Sequence, residues 1–573
     1  MADFDDDGFE ITEDILTQLN DIEISLLNNS FQLSSEDEDD YQILPTKKKR
    51  RRIIQSDSEI SEHEAVGPDT SGSTPSTNVW TEPKGNQRKI IPFTEISGVP
   101  LHVKLSMSNM SPVDFYSLFV TDDILQQIVN HTNCYAIAKI TNMPEATPSA
   151  RIRKWHPTNL TEMKQFFGLI LFMGLVKLVK LADYWSKDKI TGHPFSRTVM
   201  SRNRFELLLQ MLHFSDNDDH NKEDRLHRVR QLIENLNANF KKNYTPTEDI
   251  CIDESMVPFR GRIIFRQYNK QKRHKYGIKE FKLCTIPGYT YKVSIYAGKN
   301  DETNNTPTNV VMSLCGDLLN KGHTLYTDNW YTSVDLARQL IDQETHLVGT
   351  IRKNRRQLPK DVVTAKLRKG DFAAAESFDG ITMMKWKDKR DVYVLSTKHS
   401  IQFHDINKRG KIVSKPKIVV DYNKVKGAVD LADQLAAYST PLRKSLKWHK
   451  KLAINLLLNT TLVNAYILYQ KVTNKKIPIS NFRKSIVESF CMQTNIQEIQ
   501  DERPKRLKHK LVKKEGKSSI VRRSCSQCYK NIVQSQGRKQ AKNKVKKVQT
   551  FCDDCPNKPF LCLDCFNKAH RFA

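Results

Sequence analysis

The stretch ICIDESM (250–256), followed by EFKLCTI (280–286), TYKVSIYA (290–297) and HTLYT (323–327), decides the fold. Each run is short, rich in β-branched and aromatic residues and bounded by turn formers, the pattern of a strand. Pro287 and Gly288 separate the second and third runs and mark a hairpin. Val310 to Leu319 and Val334 to Ile341 space their apolar residues as helices do, and Thr345 to Ile351 reads as a last strand. The order is three strands, helix, strand, helix, strand. That is the RNase H arrangement, so we expect an α/β catalytic core.

Such a core gives scattered acids a common address. Phosphodiester cleavage with two divalent ions needs carboxylates that converge from separate elements, because each ion is held while it clamps an attacking or leaving oxygen. Asp253 lies on the first strand, and the period of two sends Glu254 to the other face. Asp328, in LYTDNWYTS (325–333), follows the fourth strand. Asp430 and Asp433, in GAVDLADQ (427–434), are three apart on a helix and share a face, so either completes the site. An all-oxygen donor set that leaves room for substrate phosphates suits magnesium, with manganese as a substitute. Taken singly, each Asp reads equally as a cap, a turn or a solvated charge; the fold links them.

Outward from the core, residues 112–246 turn helical. Phe205, Leu208, Leu209 and Leu212 recur at helical spacing behind Ser201 as cap, and Leu160 to Leu175 is the most apolar element. Residues 353–415 are basic, short-stranded and interrupted by Pro359 and Gly370, and read as an insertion. A helix with Val429, Leu431, Ala432 and Leu435 resumes the core, and 440–500 is helical again. The expected divisions are an acidic N-terminal region (1–104), a helical domain (105–246), the core's first part (247–352), the insertion (353–415), the third-acid helix (416–439), a second helical part (440–500) and a cysteine-rich region (501–573).

The formal charge of +26, from 91 Lys and Arg against 65 Asp and Glu in 573 residues, points to a polyanionic partner. A membrane is not expected, since the longest apolar run, Phe166 to Val176, is too short to span one and is flanked by Lys164 and Lys177. The start, with Asp3, Asp5, Asp6 and Asp7, is unlike a secretory signal. Residues 1–45 hold fourteen Asp and Glu and no Lys or Arg, a bias that cannot support a packed core. Lys47, Lys48, Lys49, Arg50, Arg51 and Arg52 then form a run of the kind nuclear import receptors read, which predicts a nuclear protein. Ser56 and Ser58, beside Asp57 and Glu59, suit an acid-directed kinase.

Six of the eleven cysteines lie after residue 524, in the pairs Cys525/Cys528, Cys552/Cys555 and Cys562/Cys565, with His570 following. Two thiolates two residues apart reach one tetrahedral zinc, so zinc is expected here. Seven ligands are one short of two closed sites. Cross-braced zinc folds of the RING/PHD-like kind include ubiquitin ligases and histone-tail readers, but residues 501–550 carry 17 Lys and Arg against 3 Asp and Glu, which favours DNA. Arg260, Arg262, Arg266, Lys270, Lys272, Arg273 and Lys275, then Arg352, Lys353, Arg355 and Arg356, either line a DNA channel or form a solvated basic face. Trp330 either stacks on an unpaired base or packs in the core.

The chain resembles the piggyBac family of transposases. The resemblance rests on 252–261, KYGIK (275–279), DNWYTS (328–333), VGTIR (348–352) and VDYN (420–423) leading into GAVD (427–430), in the family's order from about residue 110 to the C-terminus. It implies a catalytic triad of Asp253, Asp328 and Asp430 with Asp433 auxiliary, His509 as the eighth zinc ligand, and helical domains that dimerise and bind DNA. It further implies metal-dependent cleavage at transposon terminal repeats, hairpin formation, and joining at TTAA targets by a homodimer. The runner-up is a transposase-derived protein that binds DNA or chromatin without cutting it.

Overall fold

The computed structural model describes residues 54–55, 79–85, 89–142, 151–190, 192–215, 224–270, 272, 274–298, 306–408, 411–443, 446–492 and 509–571. The acidic segment, the basic run Lys47 to Arg52, Ser56, Ser58 and Arg273 lie outside the described residues. The chain forms two units, Met1–Gln493 and Thr494–Ala573.

In the first unit, the four longest helices before the central strands are α1 (Asp122–Thr141), α2 (Leu160–Leu175), α3 (Arg202–Met211) and α4 (Arg230–Asn243). Ser201 Oγ accepts from the Arg204 amide at 3.3 Å, which caps α3 at its first turn. Then follow β1 (Asp249–Pro258), β2 (Tyr276–Thr285), β3 (Tyr289–Ile295), helix α5 (Pro307–Cys315), β4 (Thr324–Thr327), helix α6 (Val334–Asp342) and β5 (His346–Thr350). The strands lie in the order β3-β2-β1-β4-β5. The β3/β2 and β2/β1 pairs are antiparallel, and the β1/β4 and β4/β5 pairs are parallel.

Both faces of this mixed sheet are covered. Ile250 and Ile252 of β1 pack with Val311 and Leu314 of α5 and Leu336 and Leu340 of α6. Cys251, one residue out of phase, packs on the opposite face with Val429 and Ala432. Those two residues belong to α8 (Ala428–Ala437), which follows α7 (Lys417–Val425). Alternation along one strand thus assigns each residue of β1 to a helix layer.

Residues 353–415 do not stand apart from the sheet. They supply β6 (Phe372–Ser377), β7 (Thr382–Lys387) and β8 (Asp391–Ser396), and β8 pairs antiparallel with β5, so the sheet continues through them. The physical reason is the open edge of β5, whose backbone groups need partners.

Two later helices, α9 (Trp448–Thr473) and α10 (Ile479–Met492), share one hydrophobic core with α1 to α4. Among the described residues α9 is the one helix long and apolar enough to cross a membrane, and 94% of its apolar window is buried inside the protein. A π turn at Leu456–Thr460 interrupts it. The carbonyls loosened there are taken up by the Tyr116 hydroxyl, on Leu457 O at 3.0 Å, and by buried Arg483, on Leu458 O at 3.1 Å.

Gly349 of β5 pairs with Thr327, and a Cβ there would lie 2.7 Å from the Thr327 carbonyl oxygen and against the Thr332 hydroxyl. Gly349→Ala is therefore expected to destabilise the first unit by about 1–3 kcal/mol, read as a lower denaturant midpoint. An unchanged midpoint would mean that the β4/β5 contact gives way freely.

Candidate active site

Three aspartates arrive on one face of the sheet from three elements. Ile252 pairs with Thr327 across the parallel β1/β4 ladder, so Asp253 and Asp328 each stand one residue beyond that pair, side by side. Asp253 keeps the phase of Cys251, which turns it toward the α8 layer. The Cys251 thiol donates to the Lys426 carbonyl at 3.4 Å and ties β1 to the turn that begins α8. At the other end, Gly288 (φ 99°) lets the β2–β3 turn approach α8 so closely that a Cβ would sit 3.1 Å from the Ala432 nitrogen. Asp430 is in the first turn of the helix held between these contacts.

Asp328 is fixed by its own turn. The Trp330 amide donates to Asp328 Oδ1 at 2.9 Å, and the Thr332 hydroxyl donates to its carbonyl at 2.8 Å. Asp253 Oδ1 accepts the Glu254 amide at 2.7 Å.

The carboxyls also bear on one another electrostatically. Burial, then the neighbouring charges of Glu254 and Asp328, push the Asp253 carboxyl well above the usual range. Burial and the Glu254 charge raise Asp328. Desolvation by the surrounding protein raises Asp430 although its side chain reaches solvent, and Lys272 partly offsets the shift. All the donors are carboxylate oxygens, and the charges of Asp328 and Asp430 add to that of Glu254 in raising Asp253, a repulsion of the kind a divalent cation relieves. The donor set fits magnesium or manganese. Among the described residues, the groups whose ligand atoms all lie within 4.8 Å of one another are the cysteine clusters; the aspartates stand further apart. That wider spacing is compatible with two ions about 3.5–4 Å apart.

The remaining residues named from the sequence are placed as follows by the fold. Asp433 accepts from Lys282 Nζ at 2.8 Å. Trp330 is 7% exposed, its ring stacked on Phe281 at 6.0 Å, edge-on to Tyr331, with the Lys279 ammonium 4.6 Å above it. Of the two readings of Trp330, this burial favours core packing over base stacking. Arg260, Arg262, Lys275 and Lys353 are exposed, while half-buried Arg352 donates through Nε to Asn329 Oδ1 at 3.0 Å. Of the basic run, Lys272 turns to the acids: Nζ donates to the Glu254 carbonyl at 3.2 Å, and its charge is felt by Asp253 and Asp430.

Sequence reading missed a second set of groups. Lys279, Phe281 and Glu254 share the back face, where Lys279 Nζ lies 3.9 Å from Glu254. Lys282 and Glu280 share the front face with Asp253 and Ser255. The signal was the β1/β2 register, which one strand's alternation cannot supply.

The sequence pattern of the family described as Transposase IS4 matches residues 111–466, which takes in all three aspartates. The chain belongs to the piggyBac family of transposases. It is similar to human PiggyBac transposable element-derived protein 3, with 26% identity over 457 residues, 74% of this chain and 73% of that protein. Human PiggyBac transposable element-derived protein 2 is 25% identical over 459 residues, 76% of this chain and 71% of that one. Among solved structures, the piggyBac transposase synaptic complex with hairpin DNA, determined by cryo-EM, matches with a TM-score of 0.61 and 26% identity. The match covers 71% of this chain and 86% of that one.

The second unit of this piggyBac-family chain brings the cysteines into two groups. Cys525, Cys528, Cys562 and Cys565 form one, and His509, Cys552 and Cys555 the other, the ligand atoms of each lying within 4.8 Å of one another. The first cysteine pair thus joins the third across the second, an interleaved arrangement. Cys528 Sγ lies 3.4 Å from Cys565 Sγ and 3.8 Å from Cys562 Sγ, near the ~3.8 Å that tetrahedral Zn–S bonds of about 2.3 Å require. His509 Nδ1 lies 3.3 Å from Cys552 Sγ and 3.2 Å from Cys555 Sγ. Both groups could hold zinc. The side chain of His570, expected as a further ligand, lies outside the described residues.

Proposed function

We propose that this chain is a cut-and-paste DNA transposase whose RNase H-like core uses Asp253, Asp328 and Asp430 to hold divalent metal, magnesium or manganese. The observation that carries the reading is the arrival of three aspartates on one sheet face from β1, the end of β4 and α8. The strand order β3-β2-β1-β4-β5 supports the RNase H-like assignment.

When bound, the ions would activate the attacking oxygen and stabilise the leaving oxygen of an in-line displacement at phosphorus. The chain's part is placement. The Asp328 turn and the α8 anchor fix the carboxylates, and Lys272 holds positive charge beside them. Arg260, Arg262, Lys275 and Lys353, which are exposed, would take DNA phosphates. Hairpin formation at transposon ends and joining at TTAA follow from the family resemblance, as does a homodimer on terminal repeats recognised by the zinc unit. The run Lys47 to Arg52 would bring the protein to the nucleus through import receptors.

The test is cleavage of labelled DNA carrying the element's own ends beside TTAA, with magnesium. Nicks and hairpins support the reading; tight end binding with no cleavage supports the alternative, a transposase-derived DNA-binding protein. The names of the human relatives, element-derived proteins, favour that second reading.

Binding is expected to weaken steeply with salt. Replacing Arg260, Arg262 and Lys275 together by Ala is expected to reduce the slope of log affinity against log salt by about 2–3, at roughly 0.9 per phosphate contact. An unchanged slope would return these residues to a solvated face.

A further inference from the structure

Lys282 stands where a lysine is least expected, beside the aspartates and out of water. The β1/β2 register sets it directly opposite Asp253, on the same face. Its side chain is 3% exposed, and its ammonium spans two carboxylates from different elements, 2.8 Å from Asp433 of α8 and 3.3 Å from Glu280 of β2. Glu280 is itself enclosed: Ser255 Oγ donates to Oε2 at 3.1 Å, and Asn455 Nδ2 of α9 donates to Oε1 at 3.3 Å. The result is a buried chain of partners running from α9 through β1 and β2 to α8. Burial opposes the lysine's charge, and Asp433 and Glu280 more than offset it, holding the ammonium above the ordinary lysine range.

Resting on the metal reading above, we propose that Lys282 is a positioning residue that keeps Asp433 out of the metal's ligand set and so leaves Asp430 as the ligand that α8 presents. Asp430 and Asp433 lie three apart on one helix face and would otherwise compete for the same ion. A fixed ammonium on Asp433 settles that competition without a metal, and it sets the rotation of α8 against β2. Removing Lys282 leaves Asp433 without its cation on the face of α8 that carries Asp430, and divalent metal becomes the nearest replacement, while Glu280 keeps its hydrogen bonds from Ser255 and Asn455.

The test uses Mn²⁺ as probe, titrated into the full-length, zinc-loaded protein by calorimetry and followed by the metal-induced shift in melting temperature. Four proteins are compared: wild type, Asp253→Asn, Lys282→Met, and Lys282→Met with Asp433→Asn. Lys282→Met is expected to bind Mn²⁺ at least tenfold more tightly or to take up an added ion, with a larger melting shift. The double variant is expected to return to wild-type metal binding, because the carboxylate that drew the extra metal is gone. In cleavage, maximal rate at saturating metal should fall 10- to 100-fold in Lys282→Met, the range for groups that orient metal ligands. A simple packing role would lower the melting temperature of both Lys282 variants without a change in metal affinity that Asp433→Asn reverses. Mn²⁺ binding in Lys282→Met equal to wild type, while Asp253→Asn abolishes it, overturns the proposal and leaves the metal reading standing. Mn²⁺ binding indifferent to Asp253→Asn overturns both.

Discussion

Asp328→Asn is expected to bind transposon ends as the wild type does and to cut them about 10³-fold more slowly. A bound divalent ion contributes several kcal/mol of transition-state stabilisation, and each 1.36 kcal/mol is a factor of ten in rate. The substitution is nearly isosteric and retains an oxygen that can accept the Trp330 amide, so the turn that places it should persist. Asp253→Asn carries the complementary expectation for stability. A carboxyl raised by the fold makes its full contribution to stability below the unfolded carboxylate pKa of about 4. That contribution is lost as pH rises through the folded value, because the folded state must then carry charges that burial and neighbours disfavour. In magnesium-free buffer at pH 8, Asp253→Asn should therefore melt higher than wild type, by on the order of 2 °C, while losing the stabilisation that magnesium gives. The order reverses if the aspartates are ordinary structural groups. A lower melting temperature together with full cleavage would end the catalytic assignment.

The second large effect belongs to the cysteines. The hydrophobic cluster buried in the C-terminal unit is Cys525, Cys552, Leu561, Cys562 and Cys565, so four of its five residues belong to the groups that could hold zinc. With so little apolar surface to bury, bound zinc is expected to supply much of the folding free energy, about 10–16 kcal/mol apparent for structural zinc in small modules. Stripping zinc with a chelator, or Cys562→Ser, should erase hydrogen-exchange protection over residues 509–571. Protection in α2, α9 and α10, whose core contains no zinc ligand, should stay as it was. Affinity for the element's ends should fall toward that for unrelated DNA. Retained protection after complete zinc removal would show that the unit folds by other means.

Much of this was readable before any tertiary contact was known. Alternation in ICIDESM put Asp253 and Glu254 on opposite faces, and the structure has one toward α8 and the other against Lys279. Helical periodicity found α2 with the bounds Leu160–Leu175. Cysteine spacing found three pairs of thiolates, and the spacing of Asp430 and Asp433 put them on one helix face.

The rest depended on which elements meet. Periodicity fixes the side of an element on which a residue lies, because that follows from local backbone geometry. It does not fix the partner, because pairing is decided by burial and backbone hydrogen bonding between segments far apart in the chain. So the sequence held Lys282 as one more lysine in a strand, and only the β1/β2 register set it opposite Asp253. Residues 353–415 read as an insertion, and only the tertiary structure showed that its strands extend the sheet from the open edge of β5. Trp330, a conceivable platform for a base, was claimed by Phe281, Tyr331 and Lys279. The cysteines likewise announced metal locally, while the joining of the first pair to the third was settled only by the path of the chain between them. What the sequence determined by itself was therefore the chemistry each segment can offer and the face on which it offers it; which of those faces came together was decided by the tertiary structure.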